Sequence, residues 1–267
     1  MRIGFIGTGS MVSAIVRGAV TNGMNPADFV VTNRHIDKAQ VLADELGLRL
    51  VPTNTQLVRE ADIVVLGVKP HMQTEVIEMI APTVIECNVC IVSIAAGRTT
   101  DSIAADFVAP IPIIRVMPNV NAQIGRSMTA LYARGATNEQ VEAVTTLMNS
   151  VGKTVTLDEK DFPVFQALAG CSPAWVYSII EALARAGLKY GLTKYDAVTI
   201  AAQALSGSAE LVLHSQKSGI VPTQLIDYVT SPGGTTIAGL LAAEEAGLST
   251  ALLHAVDAAV ARDAELA

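Results

Sequence analysis

The chain has 267 residues, a formal net charge of -7, and 51% hydrophobic residues against only 16% charged residues. Its length predicts one large domain or two modest ones, in either case with a substantial core. The net negative charge argues against nucleic acid as the main partner, because binding of phosphates requires clustered Lys and Arg side chains.

Short apolar runs alternate with helical stretches through the first half of the chain. In chain order we predict a strand over 2–7, a helix over 10–22, a strand over 29–32, a helix over 37–46, and strands over 61–67, 89–94 and 113–117. Two further strands near 127–132 and 151–156 flank a helix over 138–149. Continuous apolar runs are typical of strands covered on both faces, and their alternation with helices predicts a parallel sheet.

The composition changes after residue 158. From Phe162 onward the chain is rich in Ala and Leu, has helical periodicity and contains no convincing strand. We therefore place a domain boundary near residue 158, with a sheet domain over 1–158 and a helical domain over 159–267. The predicted fold class is α/β, with a Rossmann-like N-terminal sheet and a second domain of five or six helices.

Two long predicted helices in the second domain, 173–190 and 194–216, are apolar around most of their circumference. A helix that is apolar all round must be covered on all sides. Because a domain of this size rarely encloses two such helices, we predict a homodimer formed through the helical domain. A monomer with a very apolar core is the alternative.

Cysteine and histidine usage indicates neither a disulfide framework nor a metal site. Three cysteines suit a reducing compartment, so we expect a cytoplasmic protein. Cys87 and Cys90 form a Cys-x-x-Cys without a second pair, and we expect packed thiols there. Glycines interrupt the N-terminal apolar stretch, so we predict no signal peptide. No uninterrupted apolar run reaches about 18 residues, so we predict no membrane span.

The first chemical signal is a glycine turn, Gly7-Thr8-Gly9-Ser10-Met11, between a predicted strand and a predicted helix. Such glycines let the backbone approach a pyrophosphate, whose charge is held by free N–H groups at the helix start. Domain 1–158 is therefore predicted to bind a dinucleotide; an ordinary tight turn is the alternative. Val12 stands where a third glycine is usual, so we expect a slightly displaced helix.

The end of the second predicted strand indicates which dinucleotide binds. NAD enzymes usually place a carboxylate there, whereas this strand ends with Asn33 and Arg34. A carboxylate would repel a 2′-phosphate, while Asn33 can donate hydrogen bonds and Arg34 supplies a charged fork. We therefore predict NADP(H) as the preferred cofactor, with NAD(H) possible. Arg34 as an ordinary solvated loop residue is the alternative.

Two segments with small residues follow predicted strands, where ligands bind in open parallel sheets. Gly67-Val68-Lys69-Pro70 follows one strand and Ala95-Ala96-Gly97 follows the next. Small side chains and a fixed proline turn allow the backbone to face a flat ring. Lys69 is either a catalytic acid or a charge beside the cofactor phosphates, and we favour the second role.

The second domain carries its own chemical signal, Ser231-Pro-Gly-Gly-Thr-Thr236, directly before a predicted helix over 237–246. Successive N–H groups at a helix start, together with Ser and Thr hydroxyls, can bind a carboxylate without a positive side chain. Plain capping of the helix by Ser or Thr is the alternative. Two consecutive glycines are costly for capping alone, and they favour a ligand.

Taken together, seven segments resemble the pyrroline-5-carboxylate reductase family over nearly the whole chain. They are Gly4-Phe-Ile-Gly-Thr-Gly9 with Met11, Val68-Lys-Pro70, Ser93-Ile-Ala-Ala-Gly97, Arg115-Val-Met-Pro-Asn119, Gly170-Cys-Ser-Pro-Ala174, Ala201-Ala-Gln-Ala204 and Ser231-Pro-Gly-Gly-Thr-Thr236. The glycine turn is common to dinucleotide enzymes. The last segment, at its distance from the Met-Pro-Asn and Ser-Pro-Ala segments, is far more specific.

The resemblance implies an NAD(P)H-dependent oxidoreductase that reduces 1-pyrroline-5-carboxylate, a cyclic imine, to L-proline in the last step of proline biosynthesis. It also implies helical domains that interleave in a dimer, with further assembly into rings such as decamers. The substrate carboxylate is then bound by Ser231, Gly234, Thr235 and Thr236. The cofactor ring lies near Val68, Lys69, Pro70, Ala95, Ala96, Gly97, Pro118 and Asn119, and the adenosine ribose contacts Asn54.

The chemistry of a cyclic imine fits the residues at hand. A protonated C=N carbon is a strong electrophile and accepts hydride without a metal, so a His/Asp pair is not required. The proton comes from solution or from Thr236, the candidate catalytic residue, through a hydrogen bond to the ring nitrogen. Two departures from the family pattern can alter the substrate pocket: Val120-Asn121 replaces Thr-Pro, and Trp175 replaces Tyr or Phe.

Two other functions fit parts of the pattern. A β-hydroxyacid dehydrogenase shares the plan of a Rossmann domain followed by helices. It needs a proton-transferring Lys near the start of the long interdomain helix, whereas 171–188 contains none and Lys189 falls at its end. A non-catalytic NADPH sensor is the alternative outside enzymes, but it would have no use for a carboxylate loop.

Overall fold

The computed structural model describes residues 1–266. Its sheet has eight strands in the order β3-β2-β1-β4-β5-β6-β7-β8. The strands are β1 Ile3–Ile6, β2 Phe29–Thr32, β3 Arg49–Leu50, β4 Ile63–Leu66, β5 Cys90–Ser93, β6 Ile113–Met117, β7 Ser127–Arg134 and β8 Gly152–Thr156. The helices that accompany the sheet are α1 Ser10–Thr21, α2 Ile36–Leu46, α3 Asn54–Glu60, α4 Pro70–Cys87, α5 Thr100–Ala104, α6 Asn138–Asn149 and α7 Phe162–Phe165. Short 3-10 helices cover Pro26–Asp28, Val120–Ile124 and Glu159–Asp161.

The predicted Rossmann-like class is confirmed, with one correction to the sheet. Strands β1 to β6 are parallel, but β7 runs antiparallel to β6, and β8 is parallel to β7. The sheet is therefore mixed and not all parallel. The physical reason is the connection over 118–126, which is too short for the crossover that a parallel neighbour requires.

The strands are apolar because the sheet is covered on both faces. Ile3, Phe5 and Val65 belong to one buried cluster, whereas Ile6 and Val64 belong to a second cluster. Successive side chains of a strand point to opposite faces, so each strand contributes to both clusters. This explains why the runs contain no polar alternation.

The helices end where the sequence provides suitable residues. Gly47 closes α2 in the left-handed conformation, at φ 71°, which glycine adopts without strain. Thr137 and Gln140 form a reciprocal capping box at the start of α6. Helix α4, which the sequence analysis did not identify, begins with Pro70 and continues through Pro82.

The chain divides into two compact units, one formed by Met1–Gly170 with the segment from Ala259 on, the other by Cys171–Ala258. The predicted boundary near residue 158 therefore lies before this division. The segment after 158 packs with the sheet unit because Phe162 and Phe165 join a buried cluster with Met117 and Ala130. A short π-helix, Gln166–Cys171, follows α7.

Over the described residues 172–266 there are five helices, within the predicted range of five or six: α8 Ser172–Lys189, α9 Lys194–Gln216, α10 Pro222–Val229, α11 Thr235–Glu245 and α12 Leu248–Leu266. Within 171–258 the buried residues are Pro173, Ala184, Ala197, Ala201 and Ser215. None of them is a large apolar side chain. This unit therefore has little core of its own.

The apolar character of the helices extends over a long continuous stretch. Among the described residues, Glu159–Lys189 is helical throughout and, by length and composition, apolar enough to cross a membrane. The bent pair α11 and α12 meets the same criterion only if it counts as one span. No such segment was predicted from the sequence, because polar residues interrupt the apolar run within 159–189. Helices that are covered by other protein helices satisfy the criterion equally well.

Candidate active site

The turn between β1 and α1 leaves its backbone open to a ligand. Gly7 has φ +95°, and a Cβ atom there would lie 3.0 Å from the carbonyl oxygen of Gly67, so a side chain is excluded. Gly9 is the N-cap of α1, and a Cβ built on it meets no atom within 4 Å. The first N–H groups of α1 have no partner within the helix and are available for an anion at this point.

Val12 stands in place of the third glycine, and the space for its side chain is provided by a glycine that follows another strand. Val12 is 1% exposed, and its Cγ2 atom lies 2.4 Å from where a Cβ of Gly67 would be. The close approach that the usual third glycine permits is therefore provided by Gly67, directly after β4. Sequence reasoning missed this compensation because the two positions are far apart in the chain.

The turn opens into a cavity of about 1210 Å³ in the sheet unit. This volume exceeds the roughly 300–1,000 Å³ of ordinary small-molecule pockets and suits an extended ligand. Thirteen of the sixteen residues predicted to contact the cofactor line it: Gly7, Thr8, Gly9, Ser10, Met11, Asn33, Arg34, Asn54, Val68, Lys69, Pro70, Ala95 and Ala96. The lining does not include Gly97, Pro118 or Asn119.

The end of β2 supplies the positive charge of this cavity. The amide nitrogen of Asn33 donates one hydrogen bond to the carbonyl oxygen of His35 at 3.0 Å, which shapes the turn and leaves the second N–H of this amide for a phosphate. Arg34, His35 and Lys38 are exposed and line the same region. Sequence reasoning had not singled out Lys38, which lies on the first turn of α2 and adds a second cation beside Arg34.

A further lining segment comes from the start of α3. Thr53 caps this helix by accepting from the N–H of Gln56 at 3.2 Å, and Asn54 is its first residue. The amide of Asn54 lies 3.7 Å from the sulfur of Met79, a residue that also lines the cavity. Met79 is 57% exposed, so it presents a soft apolar surface at the opening. Met79 could not be identified from its sequence neighbourhood, because α4 was not predicted.

Asn119 has a different surrounding from the one that the resemblance implied. It is 6% exposed, its amide donates to the carbonyl oxygen of Ala169 at 2.8 Å, and its side-chain oxygen accepts from the N–H of Asn121 at 3.1 Å. Pro173 has no N–H to offer the carbonyl of Ala169, four residues earlier. The side chain of Asn119 thus satisfies a helix carbonyl and holds the adjoining loop.

In the helical unit, the segment 231–236 forms a tight turn followed by a helix. The N–H of Gly234 donates to the carbonyl oxygen of Ser231 at 3.0 Å, and Gly233 has φ +70°. A Cβ on Gly234 would lie 2.5 Å from the hydroxyl oxygen of Ser231 and 3.1 Å from its carbonyl oxygen, so a side chain there would displace the Ser231 hydroxyl. Ser231, Thr235 and Thr236 are exposed, and helix α11 begins at Thr235. Free N–H groups and hydroxyls are therefore adjacent here.

The part of the chain that the structure describes contains no group of three or more His, Cys, Asp or Glu side chains that could hold a metal ion. Cys87 is exposed, whereas Cys90 is buried in β5, and burial raises the pKa of the Cys90 thiol to about 12. The Cys90 thiol is therefore inert at neutral pH. The Cys-x-x-Cys spacing reflects one residue at the end of a helix and one in a strand.

The cavity of the sheet unit fits a dinucleotide with an extra phosphate. Gly9 leaves space where a pyrophosphate approaches the backbone, and Arg34 and Lys38 supply cations at the end of β2. The hydroxyl oxygen of Thr8, in the glycine turn, is buried and has no hydrogen-bond partner among the described residues. Such a group is expected to find its partner in a bound ligand or water.

Comparisons with known proteins agree with this reading along the whole chain. Residues 159–266 match the family profile described as pyrroline-5-carboxylate reductase dimerisation, and residues 2–97 match the profile described as NADP oxidoreductase, coenzyme F420-dependent. Pyrroline-5-carboxylate reductase from Glycine max is 38% identical, with 99% of this chain and 95% of the relative covered.

The chain belongs to the pyrroline-5-carboxylate reductase family. A relative of this name from Corynebacterium melassecola is 34% identical over 99% of this chain and 98% of its own length. The solved pyrroline-5-carboxylate reductase from Coxiella burnetii superposes with a TM-score of 0.94 at 34% identity, covering 100% of this chain and 98% of that one.

A second solved structure concerns the cofactor. Pyrroline carboxylate reductase from Plasmodium falciparum was solved with NADP bound and superposes with a TM-score of 0.85 at 27% identity, covering 100% of this chain and 98% of that one. Membership of this family makes the chain an NAD(P)H-dependent oxidoreductase, and its helical part is the dimerisation domain of the family.

Proposed function

We propose that this protein reduces 1-pyrroline-5-carboxylate to L-proline with NADPH. The observation that carries the proposal is one cavity that combines the open glycine turn with the cations of Arg34 and Lys38, in a chain that matches the family from end to end. The alternative of a β-hydroxyacid dehydrogenase requires a proton-transferring Lys near the start of α8. The helix has Lys189 at its last position.

The sheet unit supplies the residues that hold the cofactor. The turn at Gly7–Met11 binds the pyrophosphate through backbone N–H groups, Asn33 and Arg34 bind the 2′-phosphate, and Asn54 contacts the adenosine ribose. Val68, Lys69 and Pro70 and the loop at 95–97 flank the nicotinamide. When bound, the cofactor supplies the hydride. We propose that Pro118 and Asn119 support the nicotinamide site without lining the cavity, because the side chain of Asn119 is hydrogen-bonded to Ala169 and Asn121 inside the protein.

The helical unit supplies the residues that hold the substrate. Ser231, Gly234, Thr235 and Thr236 bind the carboxylate, since the free N–H groups at the start of α11 and the exposed hydroxyls suit an anion without a cationic side chain. The hydroxyl of Thr236 donates a hydrogen bond to the ring nitrogen of the neutral imine. Once this nitrogen is protonated, its N–H donates to the Thr236 oxygen, and this second hydrogen bond favours the protonated form. Orientation of the ring then accounts for several kcal/mol of the barrier.

The assembly is inferred from the exposed apolar side chains of the helical unit, and the cellular location from the free cysteines of the chain. Exposed apolar side chains on every helix of this unit need a partner, and we propose a homodimer formed through it, with further assembly into a decamer. Three free cysteines suit a reducing cytoplasm. We propose no role for a membrane or for nucleic acid.

The decisive experiment follows the absorbance of NADPH at 340 nm, a wavelength at which only the reduced cofactor absorbs. We expect the absorbance to fall when 1-pyrroline-5-carboxylate is added, and to stay constant when a 2-oxo acid or a 3-oxo acid is added. Proline must appear in equal amount. Turnover of a hydroxyacid or oxo acid in place of the imine would contradict the proposal, as would binding of NADPH without any turnover.

A further inference from the structure

A fully buried pair of polar side chains, Gln73 and Ser93, joins two of the segments that line the cofactor cavity. Both side chains are 0% exposed. Gln73 lies at the start of α4, three residues after Pro70, and Ser93 is the last residue of β5, directly before the loop 94–97. The two segments come from consecutive crossover units of the sheet.

Three hydrogen bonds meet at the hydroxyl of Ser93. The amide nitrogen of Gln73 donates to this oxygen at 3.1 Å, and the hydroxyl donates back to the side-chain oxygen of Gln73 at 3.4 Å. The backbone N–H of Ala95 donates to the same oxygen at 3.4 Å. The hydroxyl therefore links the first turns of α4 directly to the loop after β5.

This polar pair lies in an interior that is otherwise apolar. Ile77, Ile80 and Ile91 are buried on the neighbouring surfaces of α4 and β5, and an apolar pair would fill the space as well. Apolar contact has no preferred direction, whereas hydrogen bonds fix distance and angle. A buried amide without its partner is costly, so the geometry of this pair is strongly determined.

Neither Gln73 nor Ser93 lines the cavity, but their neighbours do. Met72 and Val76 line it from α4, and Ile94, Ala95 and Ala96 line it from the loop. The pair thus acts on the cavity through backbone that it holds in place. The other end of the cavity, formed by Arg34 and Asn54, is built on β2 and α3 and makes no hydrogen bond to this pair.

We propose that Gln73 and Ser93 are positioning residues, which fix the loop 94–97 against the start of α4 and so set the width of the cavity at its nicotinamide end. The inference rests on the proposed function, because that function assigns the nicotinamide to these two segments. It predicts a selective defect. Loss of the pair weakens binding of the whole cofactor but not binding of its adenosine half.

The test compares two ligands by calorimetry or fluorescence titration: NADPH, and 2′,5′-ADP, which carries the adenosine and its phosphates but no nicotinamide. Gln73→Met keeps the volume of the side chain and removes its hydrogen bonds. We expect an affinity for NADPH about tenfold lower, the effect of losing one or two hydrogen bonds. We expect the affinity for 2′,5′-ADP to be unchanged, and the KM for NADPH to rise more than kcat falls.

Matched variants separate positioning from general destabilisation. Gln140→Met makes the same change at another buried glutamine, which caps α6 away from the cavity, and it should lower the melting temperature while leaving both affinities unchanged. Ser93→Thr retains the hydroxyl and should preserve most of the NADPH affinity, whereas Ser93→Ala should reproduce the defect of Gln73→Met. If Gln73→Met does not fold, Ser93→Ala carries the same test.

Two results would overturn the inference: unchanged affinity for NADPH in Ser93→Ala, or an equal loss of affinity for NADPH and 2′,5′-ADP. Both are distinct from failure of the proposed function. That failure would appear in the unmodified enzyme, as absence of NADPH binding or absence of turnover with 1-pyrroline-5-carboxylate.

Discussion

The two compact units of this chain bury their apolar residues in different ways. In the sheet unit, large side chains such as Phe5, Phe29 and Ile77 are inaccessible to solvent within a single chain. In the helical unit, Leu183 and Leu211 remain 50% and 53% exposed, and the buried positions hold small residues. One unit therefore carries a complete core, and the other needs a second chain to complete its own.

The need of the helical unit for a second chain is tested most directly by placing a charge on its exposed apolar surface. We expect Leu183→Glu to abolish assembly and to reduce activity by more than about tenfold, because burying an unpaired carboxylate costs several kcal/mol. Size-exclusion chromatography with light scattering measures the assembly. Val108→Glu is the matched control, since Val108 is 96% exposed in the sheet unit. An assembled Leu183→Glu protein would show that this surface is not at an interface.

Inside the sheet unit, the largest loss of stability is expected at Glu159. Its carboxylate accepts from the N–H and the hydroxyl of Thr100, each at 2.8 Å, and from Arg115 at 3.1 Å. Arg115 is 3% exposed and stacks on the ring of Phe162, so Glu159→Ala leaves a buried charge without its carboxylate. We expect a decrease of about 3 kcal/mol in the free energy of unfolding, measured by denaturant titration. Glu86→Ala, which breaks the exposed pair with Arg59, should cost less than about 1 kcal/mol.

Thr236→Ala, in the helical unit, tests whether this unit binds the substrate and not the cofactor. We expect a higher KM for 1-pyrroline-5-carboxylate and a lower kcat, each by about tenfold, because one hydrogen bond to the ring is lost. The dissociation constant of NADPH should not change. Thr236→Ser keeps the hydroxyl and serves as the control. Wild-type turnover and substrate affinity in Thr236→Ala would remove this residue from the mechanism.

The corresponding change in the sheet unit is Arg34→Ala. We expect the KM for NADPH to rise about tenfold and the KM for NADH to stay constant, since a charge-assisted hydrogen bond to the 2′-phosphate is worth about 1.5–3 kcal/mol. Lys38→Ala should show the same selectivity with a smaller change. Equal effects on both cofactors would contradict the assignment of Arg34 to the 2′-phosphate.

The smallest expected effect concerns acid stability. Glu60 is hydrogen-bonded to Arg49, which lowers the pKa of the Glu60 carboxyl to about 2. A depressed folded-state pKa contributes stability above the unfolded pKa, near 4.3, and that contribution is lost as pH falls toward 2. Because the pair is partly exposed, we expect at most about 1 kcal/mol. Urea titrations of Glu60→Gln and the unmodified protein should differ at pH 6 and converge near pH 2.

The sequence was sufficient for features with a local signal. The strand over 29–32 and the helices over 138–149 and 194–216 were predicted with their bounds, because apolar periodicity determines them locally. The helix at Pro70–Cys87 was not predicted. Its buried Val76, Ile77, Ile80 and Val84 repeat at helical spacing, but Pro82 lies among them, and a proline inside such a pattern argues against a continuous helix.

Features that depend on contacts between distant segments were not predictable. The hydrogen bond from Asn119 to Ala169 joins positions fifty residues apart. The same holds for Lys38 and Met79, which reach the cavity only through the folding of α2 and α4. The family resemblance assigned the substrate and cofactor segments as sequence motifs, and these assignments stay predictions. A motif alone does not distinguish a residue that lines the cavity from one outside its lining, such as Asn119.

The exchange of roles between Val12 and Gly67 has a consequence for attempts to restore the common fingerprint. Val12→Gly would recreate the familiar three-glycine motif, but it would leave an unfilled void beside Gly67 and add backbone freedom to α1. Gly67→Ala is not a remedy, because its Cβ would lie 2.8 Å from the carbonyl oxygen of Gly7. The side chain at position 12 and the absence of one at position 67 therefore depend on each other, and a substitution made at one of them alone would weaken the packing of the enzyme.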